Sequence, residues 1–279
     1  MAEPAAAATV EHPDFSRFAI GFDERDRARL HELWDEAIDA HRWTEGPLTE
    51  CFERTWAEWN GVPAVAFSGW SGAALAALEY AGVRGQTVVV PSNTFMATPL
   101  AALHAGARVE FADCNREDLC LSLASLEAAI ARHRPRAVIL VHIGGHIAFD
   151  AEPIAALCRS EGIFLLEDCA HAHGASWHGQ RPGTYGDAGV YSFYATKTIS
   201  TGEGGMLVSR DGDLLEFARA HRNYGKPDHA VAGTNGRMSE FTAALGLVGV
   251  ERLDEIVAWK NAVARERLDP VHANRVRLP

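Results

Sequence analysis

The sequence predicts an α/β fold, a mainly parallel sheet with helices on both faces. Three observations lead there. Short, near-continuous runs of Val, Ile and Leu recur, as in "TVVVP" (Thr87–Pro91), "RAVILVH" (Arg136–His142) and "GIFLLED" (Gly162–Asp168). They lack the alternation of a strand with one wet face, so they read as strands buried on both sides. Segments with helical spacing separate them, the pattern of strand–helix–strand units. The chain has 279 residues, of which 47% are hydrophobic and 23% charged, enough for one large domain or one domain with an appendage.

Residues 1–22 read as a loose arm. "DERDRARLHELWDEAIDAH" (23–41) places Leu30, Leu33, Trp34, Ala37 and Ile38 on one stripe, an amphipathic helix. "EGP" (Glu45–Pro47) opens a second helix, with Phe52, Trp56 and Trp59 on its apolar side and Asn60-Gly61 as its stop. The spacing of Trp56 and Trp59 points to core or dimer contacts. "AVAF" (Ala64–Phe67) is a strand that meets "SGWSG" and then an alanine-rich helix over Ala73–Ala81. After Thr87–Pro91 a helical segment runs to Ala105. "ARVEFADC" (Ala107–Cys114) is a strand, and Ser122 or Ser125 can cap the helix that runs to His133. The strands at Arg136–His142 and Gly162–Asp168 flank a helix after Asp150. "AGVYSFY" (Ala188–Tyr194) and "GGMLVS" (Gly204–Ser209) follow, and beyond Asp211 the chain reads as helical, ending in one long amphipathic run from about Met238 to Leu268. This gives an arm over 1–22, a large domain over 23–250 and a C-terminal helical stretch over 251–279.

The totals exclude several function classes. With 26 basic and 37 acidic residues the net charge is −11, which argues against nucleic acid or an anionic membrane surface as a partner. The five cysteines are odd in number, widely spaced and without a C-x-x-C, so neither a disulfide framework nor a zinc knuckle is expected, and a reducing cytoplasm is the expected setting. The N-terminus has no basic n-region or sustained apolar run, and no stretch is long enough to span a bilayer.

Four features carry chemistry. Ser68-Gly69-Trp70-Ser71-Gly72 lies between a strand and a helix, where small residues and free N–H groups suit a phosphate. Glu167-Asp168 ends a buried strand, at the edge where open α/β sheets bind ligands. Ser192 lies on the strand leading to Lys197, and its hydroxyl can reach a phosphate. Lys197 itself follows an apolar strand and precedes the hydroxyl- and glycine-rich "TISTGEGG", the setting of a partly buried amine. Taken singly, each has an ordinary reading: a tight turn, a capping carboxylate, a backbone-bonded serine, a solvated lysine. Together they are the parts that hold pyridoxal phosphate: an amine for a Schiff base, a carboxylate for the pyridine nitrogen and turns for the phosphate.

The ordered blocks "TEGPLTECFERTWAEWNGV", "PSNTFMATPLAALHAGARVEFAD", "VHIGGHIAFD", "EDCAHAHGA", "GDAGVYSFYATKTISTGEGGMLV" and "GTNGRMSEFTAAL" run from about Thr44 to Leu253. In them the chain resembles the DegT/DnrJ/EryC1/StrS family of fold-type I, pyridoxal-phosphate-dependent sugar aminotransferases, with the related aminohydroxybenzoate synthases. The resemblance implies pyridoxal 5'-phosphate as cofactor, with Lys197 as the lysine that forms the internal aldimine and Asp168 as partner of the pyridine nitrogen. It implies phosphate contacts from Gly69, Trp70, Ser71 and Ser192, and an aromatic stack on the cofactor ring from Phe95. His171 would lie beside the cofactor's oxygen. Asn235 would reach the phosphate of a neighbouring subunit, which makes a homodimer with shared sites the expected assembly. The implied reaction moves an amino group from glutamate or glutamine to a keto sugar, usually nucleotide-linked, or a keto cyclitol.

Two positions depart from the family pattern. Trp70 stands where a threonine is usual, and the chain stops at Pro279, where a smaller C-terminal domain normally begins. These departures motivate a competing expectation, a non-catalytic partner subunit. A pyridoxamine-phosphate-dependent dehydratase is the other alternative, disfavoured because such relatives replace the lysine with histidine. Of the 13 histidines, His142 and His146 have the spacing of a helical metal pair, but the intervening "IGG" is a turn at a strand end, so no metal site is expected.

Overall fold

The computed structural model describes residues 21–271. Its seven strands are β1 (Ala64–Phe67), β2 (Thr87–Pro91), β3 (Arg108–Ala112), β4 (Ala137–Val141), β5 (Phe164–Asp168), β6 (Ala188–Ser192) and β7 (Gly205–Val208). They form one sheet in the order β1-β7-β6-β5-β4-β2-β3. The pairings are parallel from β3 to β6, and β7 runs antiparallel to both β6 and β1. The expected mainly parallel sheet is present. Strands β1, β2, β4, β6 and β7 are buried throughout, the burial that their unbroken apolar runs require.

Around the sheet lie α1 (Glu24–Asp39), α2 (Pro47–Asn60), α3 (Trp70–Tyr80), α4 (Ala97–His104), α5 (Leu123–His133), α6 (Ala151–Glu161), α7 (Gly212–His221), α8 (Glu240–Glu251) and α9 (Leu253–Val263). Helices α3, α4 and α7 share one apolar layer with the sheet. Helices α5 and α6 share a second, and α1, α2 and α8 share a third.

Four details differ from the sequence expectation. Helix α3 begins at Trp70, three residues before Ala73, because Gly69 serves as its N-cap. Ile38 is 47% exposed although it belongs to the apolar stripe of α1, whereas Leu30, Leu33 and Ala37 are buried. Trp59 is only part-buried, with the Arg181 guanidinium 4.2 Å from its ring centre. The run from Met238 to Leu268 is not one helix. It breaks at Arg252 (φ −102°, ψ −4°), whose guanidinium pairs with Asp23 and Asp26 at the start of α1 and with Glu255.

The α1–α2–α8 layer is fixed to itself by a buried carboxylate. Glu240 in the first turn of α8 accepts from the N–H groups of Gly46 (3.0 Å), Leu48 (2.8 Å) and Thr49 (3.1 Å), and from the Thr49 hydroxyl. It thereby caps α2, whose own N-cap is a glycine with no side chain to do so. A Cβ at residue 46 would lie 2.6 Å from the Glu240 Oε2, so a side chain there would push the capping carboxylate aside. Glu240→Ala leaves three buried N–H groups without a partner and should lower stability by about 3 kcal/mol, read from the urea midpoint at unchanged slope; Glu240→Gln, which keeps one acceptor oxygen, should lose less.

Candidate active site

β1 and β6 are parallel, because each pairs antiparallel with β7. The register aligns Phe67 with Gly205 and Gly205 with Ser192. The chain therefore leaves β1 for the Ser68–Ser71 turn and leaves β6 for Lys197 at the same edge of the sheet. The carboxyl ends of β4 and β5 lie at that edge too, in register through Val141 and Asp168. A cavity of about 440 Å³ opens there, lined by Gly69, Trp70, Ser71, Phe95, Thr98, Asp168, His171, Ser192 and Lys197.

Alternation along β5 decides which of its two terminal carboxylates serves the cavity. Leu166 and Asp168 share one face and Leu165 and Glu167 the other. Glu167, fully buried, accepts from His142 Nε2 (2.9 Å) and from the N–H groups of Gly183, Tyr185 and Gly186 (2.7 Å each). Its lone pairs are spent within the protein. Asp168 is 6% exposed and accepts from the Thr98 hydroxyl (2.9 Å) and the Ala170 N–H (3.1 Å). Burial raises its pKa, against the two hydrogen bonds and the positive charge of Lys197. A desolvated carboxylate of this kind is stabilised by a cation brought to it, such as a protonated heterocycle nitrogen.

Lys197 is part-buried, and desolvation lowers its pKa while the Asp168 charge opposes the shift. Its loop is fastened at the base: the N–H of Phe193 donates to Gly204 O (2.9 Å) and that of Thr201 to Phe193 O (2.9 Å). Gly202, at φ +80°, supplies the left-handed residue that lets the loop return to β7. An amine held on a closed loop with a lowered pKa is suited to act as nucleophile and base.

Helix α3 has no side-chain cap, so the N–H groups of its first turn face the cavity's end without a protein side chain to accept them. A Cβ at Gly205 would lie 2.6 Å from the Gly69 carbonyl carbon and 2.7 Å from the Trp70 nitrogen, so this turn rests directly on the start of β7. Trp70 keeps its backbone in the turn but sends its indole into the core, 7% exposed and with Nε1 unpartnered. Ser192 is buried, and its hydroxyl accepts from the Tyr194 N–H (3.3 Å).

Phe95 is 76% exposed at the cavity, an apolar ring without protein cover. His171 is exposed at the cavity mouth, and partial desolvation and the Lys197 charge lower its pKa. Asn235 does not line the cavity. It is exposed and precedes Gly236, whose carbonyl accepts from Ser68 N–H (2.8 Å) beside the α3 turn.

Sequence reasoning missed Thr98 and Glu203 as cavity residues, whereas His142 is at the strand end beside the cavity, the kind of place expected of it with a metal pair set aside. Thr98 is fully buried, four residues after Thr94 and 2.7 Å from its hydroxyl; no spacing rule marks it, because its partner Asp168 is seventy positions away. His142 has Nε2 on Glu167 and Nδ1 accepting from the Ala148 N–H (3.2 Å), and so is a bracing residue in the cavity wall. It does not pair with His146, which lies instead with Asp118 and Cys120; the ligand atoms of that trio, and those of His142, Glu167 and Cys169, fall within 4.8 Å of one another.

These residues fit pyridoxal phosphate on observations of the protein itself. There is a desolvated carboxylate for the ring nitrogen, an uncapped helix start for the phosphate, an uncovered phenyl ring for the ring face and an amine within the same cavity.

The chain is similar to known proteins along most of its length. It is 36% identical over 245 residues to the GDP-perosamine synthase of Escherichia coli O157:H7, covering 84% of this chain and 66% of that protein. It is 34% identical over 253 residues to the dTDP-3-amino-3,4,6-trideoxy-alpha-D-glucose transaminase of Micromonospora megalomicea subsp. nigra, covering 88% and 67%. Among solved structures, 3-amino-5-hydroxybenzoic acid synthase matches with a TM-score of 0.81 at 31% identity, covering 89% of this chain and 66% of that one. The chain thus spans about two thirds of the length of these relatives. The profile of the DegT/DnrJ/EryC1/StrS aminotransferase family, whose members use pyridoxal phosphate, matches residues 24–269, and the chain belongs to that family.

Proposed function

We propose that the chain is the cofactor-binding core of an aminotransferase that moves an amino group from glutamate or glutamine to a keto sugar, nucleotide-linked, or a keto cyclitol. The observation that carries this reading is the meeting of Lys197, Asp168 and the uncapped start of α3 in one cavity, from segments far apart in the chain. The names of the relatives, a GDP-perosamine synthase and a dTDP-amino-sugar transaminase, support the substrate class.

Lys197 Nζ would hold the cofactor and take the proton from the donor's α carbon; its lowered pKa favours the unprotonated amine that both tasks need. Asp168 would hold a proton on the ring nitrogen, and Thr98 and the Ala170 N–H fix the carboxylate for it. Gly69, Trp70 and Ser71 would donate backbone N–H groups to the phosphate, joined by the Ser192 hydroxyl, and Phe95 would cover the ring. His171, neutral because partial desolvation and Lys197 lower its pKa, would sit beside the ring oxygen as a hydrogen-bonding group without charge. When bound, the pyridine ring supplies an electron sink for the carbanion. Asn235, exposed next to Gly236, would serve a neighbouring copy, so the working unit would be a homodimer. No helix among the described residues is long and apolar enough to cross a membrane. The cytoplasmic setting is proposed on the cysteine usage, five widely spaced free thiols.

Purified protein mixed with pyridoxal phosphate should turn yellow, and borohydride should fix the cofactor on the peptide containing Lys197, read by mass spectrometry. Lys197→Ala should carry no fixed cofactor; a wild type that captures none ends the aminotransferase reading. Asp168→Asn should still capture cofactor through Lys197 but slow conversion of the yellow band by L-glutamate or L-glutamine by about 100-fold or more, the scale of removing one electrostatic partner from a buried site.

A further inference from the structure

A second cavity, of about 460 Å³, meets the first at His171. Its walls are the turn after β4, the loop after β5, Thr198 and the α9 residues Val257, Lys260 and Asn261. These walls are braced against one another. A Cβ at Gly145 (φ +96°) would lie 2.6 Å from the His171 carbonyl oxygen, and one at Gly174 (φ +85°) 2.3 Å from Val257. Gly145 thus rests on the His171 backbone and Gly174 on the Val257 side chain, and these two close contacts hold the turn after β4, the loop after β5 and α9 together around the cavity.

Its electrostatics are simple. Lys260 Nζ donates to the Thr198 hydroxyl (3.0 Å), and Thr198 is the residue after Lys197. Lys260 is exposed at the mouth of the cavity, as are Asn261 and Ser176; among the described residues no carboxylate pairs with its ammonium, and partial desolvation lowers its pKa. The other titratable groups in the wall are three histidines. Desolvation lowers the pKa of His146 and His171 and pushes His173 down to about 3. His173 is 6% exposed, with the Ser192 backbone beside it but no hydrogen bond of normal geometry to either ring nitrogen. At neutral pH the cavity thus holds one positive charge, set among neutral polar groups that include Asn261 and Ser176.

We propose that this cavity is the subsite for a carboxylate of the amino donor, with the Lys260 ammonium as its counter-charge and Asn261 and Ser176 as neutral hydrogen-bonding partners. The identity of the ligand as an amino donor rests on the aminotransferase reading above. One ammonium without a carboxylate partner matches one carboxylate, and a charge-assisted hydrogen bond is stronger than a neutral one. A nucleoside diphosphate carries two or three negative charges and would leave most of them uncompensated here. The position also suits the chemistry: a donor anchored at Lys260 is held next to the loop that carries Lys197, with His171 between the two cavities.

The test uses the full chain saturated with pyridoxal phosphate and two unreactive probes, glutarate and dTDP, titrated by calorimetry. Lys260→Met should weaken glutarate binding by about tenfold or more, and Lys260→Arg should restore part of it. The affinity for dTDP should be the same in wild type and Lys260→Met. Steady-state assays of Lys260→Met should show a raised KM for L-glutamate with kcat much less affected. A wild type that binds no glutarate, or glutarate binding indifferent to Lys260→Met, overturns the proposal. So does dTDP binding that falls in place of glutarate binding, which would assign the cavity to the acceptor's diphosphate. Borohydride capture at Lys197 is followed in parallel: Lys260-dependent glutarate binding without cofactor capture would keep the carboxylate subsite and end the aminotransferase reading instead.

Discussion

Two carboxylates sit side by side at the end of the central strand β5, and the pleat sends them to opposite faces of the sheet. A buried carboxylate is costly unless its charge is met, by several kcal/mol on the usual scale. Glu167 meets that cost inside the protein, with four donors drawn from His142 and the Gly183–Gly186 loop. In doing so it fastens the ends of β4 and β5 to the segment that enters β6. Asp168 has two donors and an unpaired charge, and burial raises its pKa accordingly. The first carboxylate holds the cavity's walls in place. The second leaves the cavity with an unmet electrostatic demand, which the proposed ring nitrogen would satisfy.

The antiparallel return of β7 is the topological device that completes the cavity. Without it, the chain after β1 and the chain after β6 would have no reason to meet. With it, Phe67, Gly205 and Ser192 come into register, and the start of α3 faces the Lys197 loop. Gly205 must lack a side chain for the turn at Gly69 to rest on the strand. The same closeness explains how Trp70 is accommodated. A helix start offers backbone N–H groups whatever the side chain, so the indole can join the core while the turn keeps its donors.

Away from this edge, acidic residues again serve as structural groups. Glu240 caps α2 from another helix, and Glu53 accepts from Arg219, Arg222 and the Ala66 N–H beneath β1. Arg252 ties the break between α8 and α9 to the first turn of α1. Part of the net charge of −11 is therefore not a surface feature, and it carries no information about partners beyond disfavouring polyanions.

The sequence by itself determined the strands, because an unbroken run such as Val88–Val90 or Ile139–Val141 can be buried only between two helical layers. It determined that Lys197 ends an apolar strand and that Asp168 ends another, and the ordered blocks identified the family. The strand pattern could not separate Glu167 from Asp168 as the carboxylate facing the cavity, since adjacent positions differ only by the face that the sheet's packing assigns; the family resemblance alone pointed to Asp168. Nor could the pattern find Thr98, whose role depends on a partner seventy residues away. The helical run to Leu268 looked continuous because periodicity does not register a tether such as Arg252 to Asp26. The second cavity was equally invisible: Lys260 and His173 are ordinary residues in their own segments. Local pattern fixes which element a residue belongs to, but contacts between segments far apart in the chain decide which side chains share one enclosed space, and only the tertiary structure contains those.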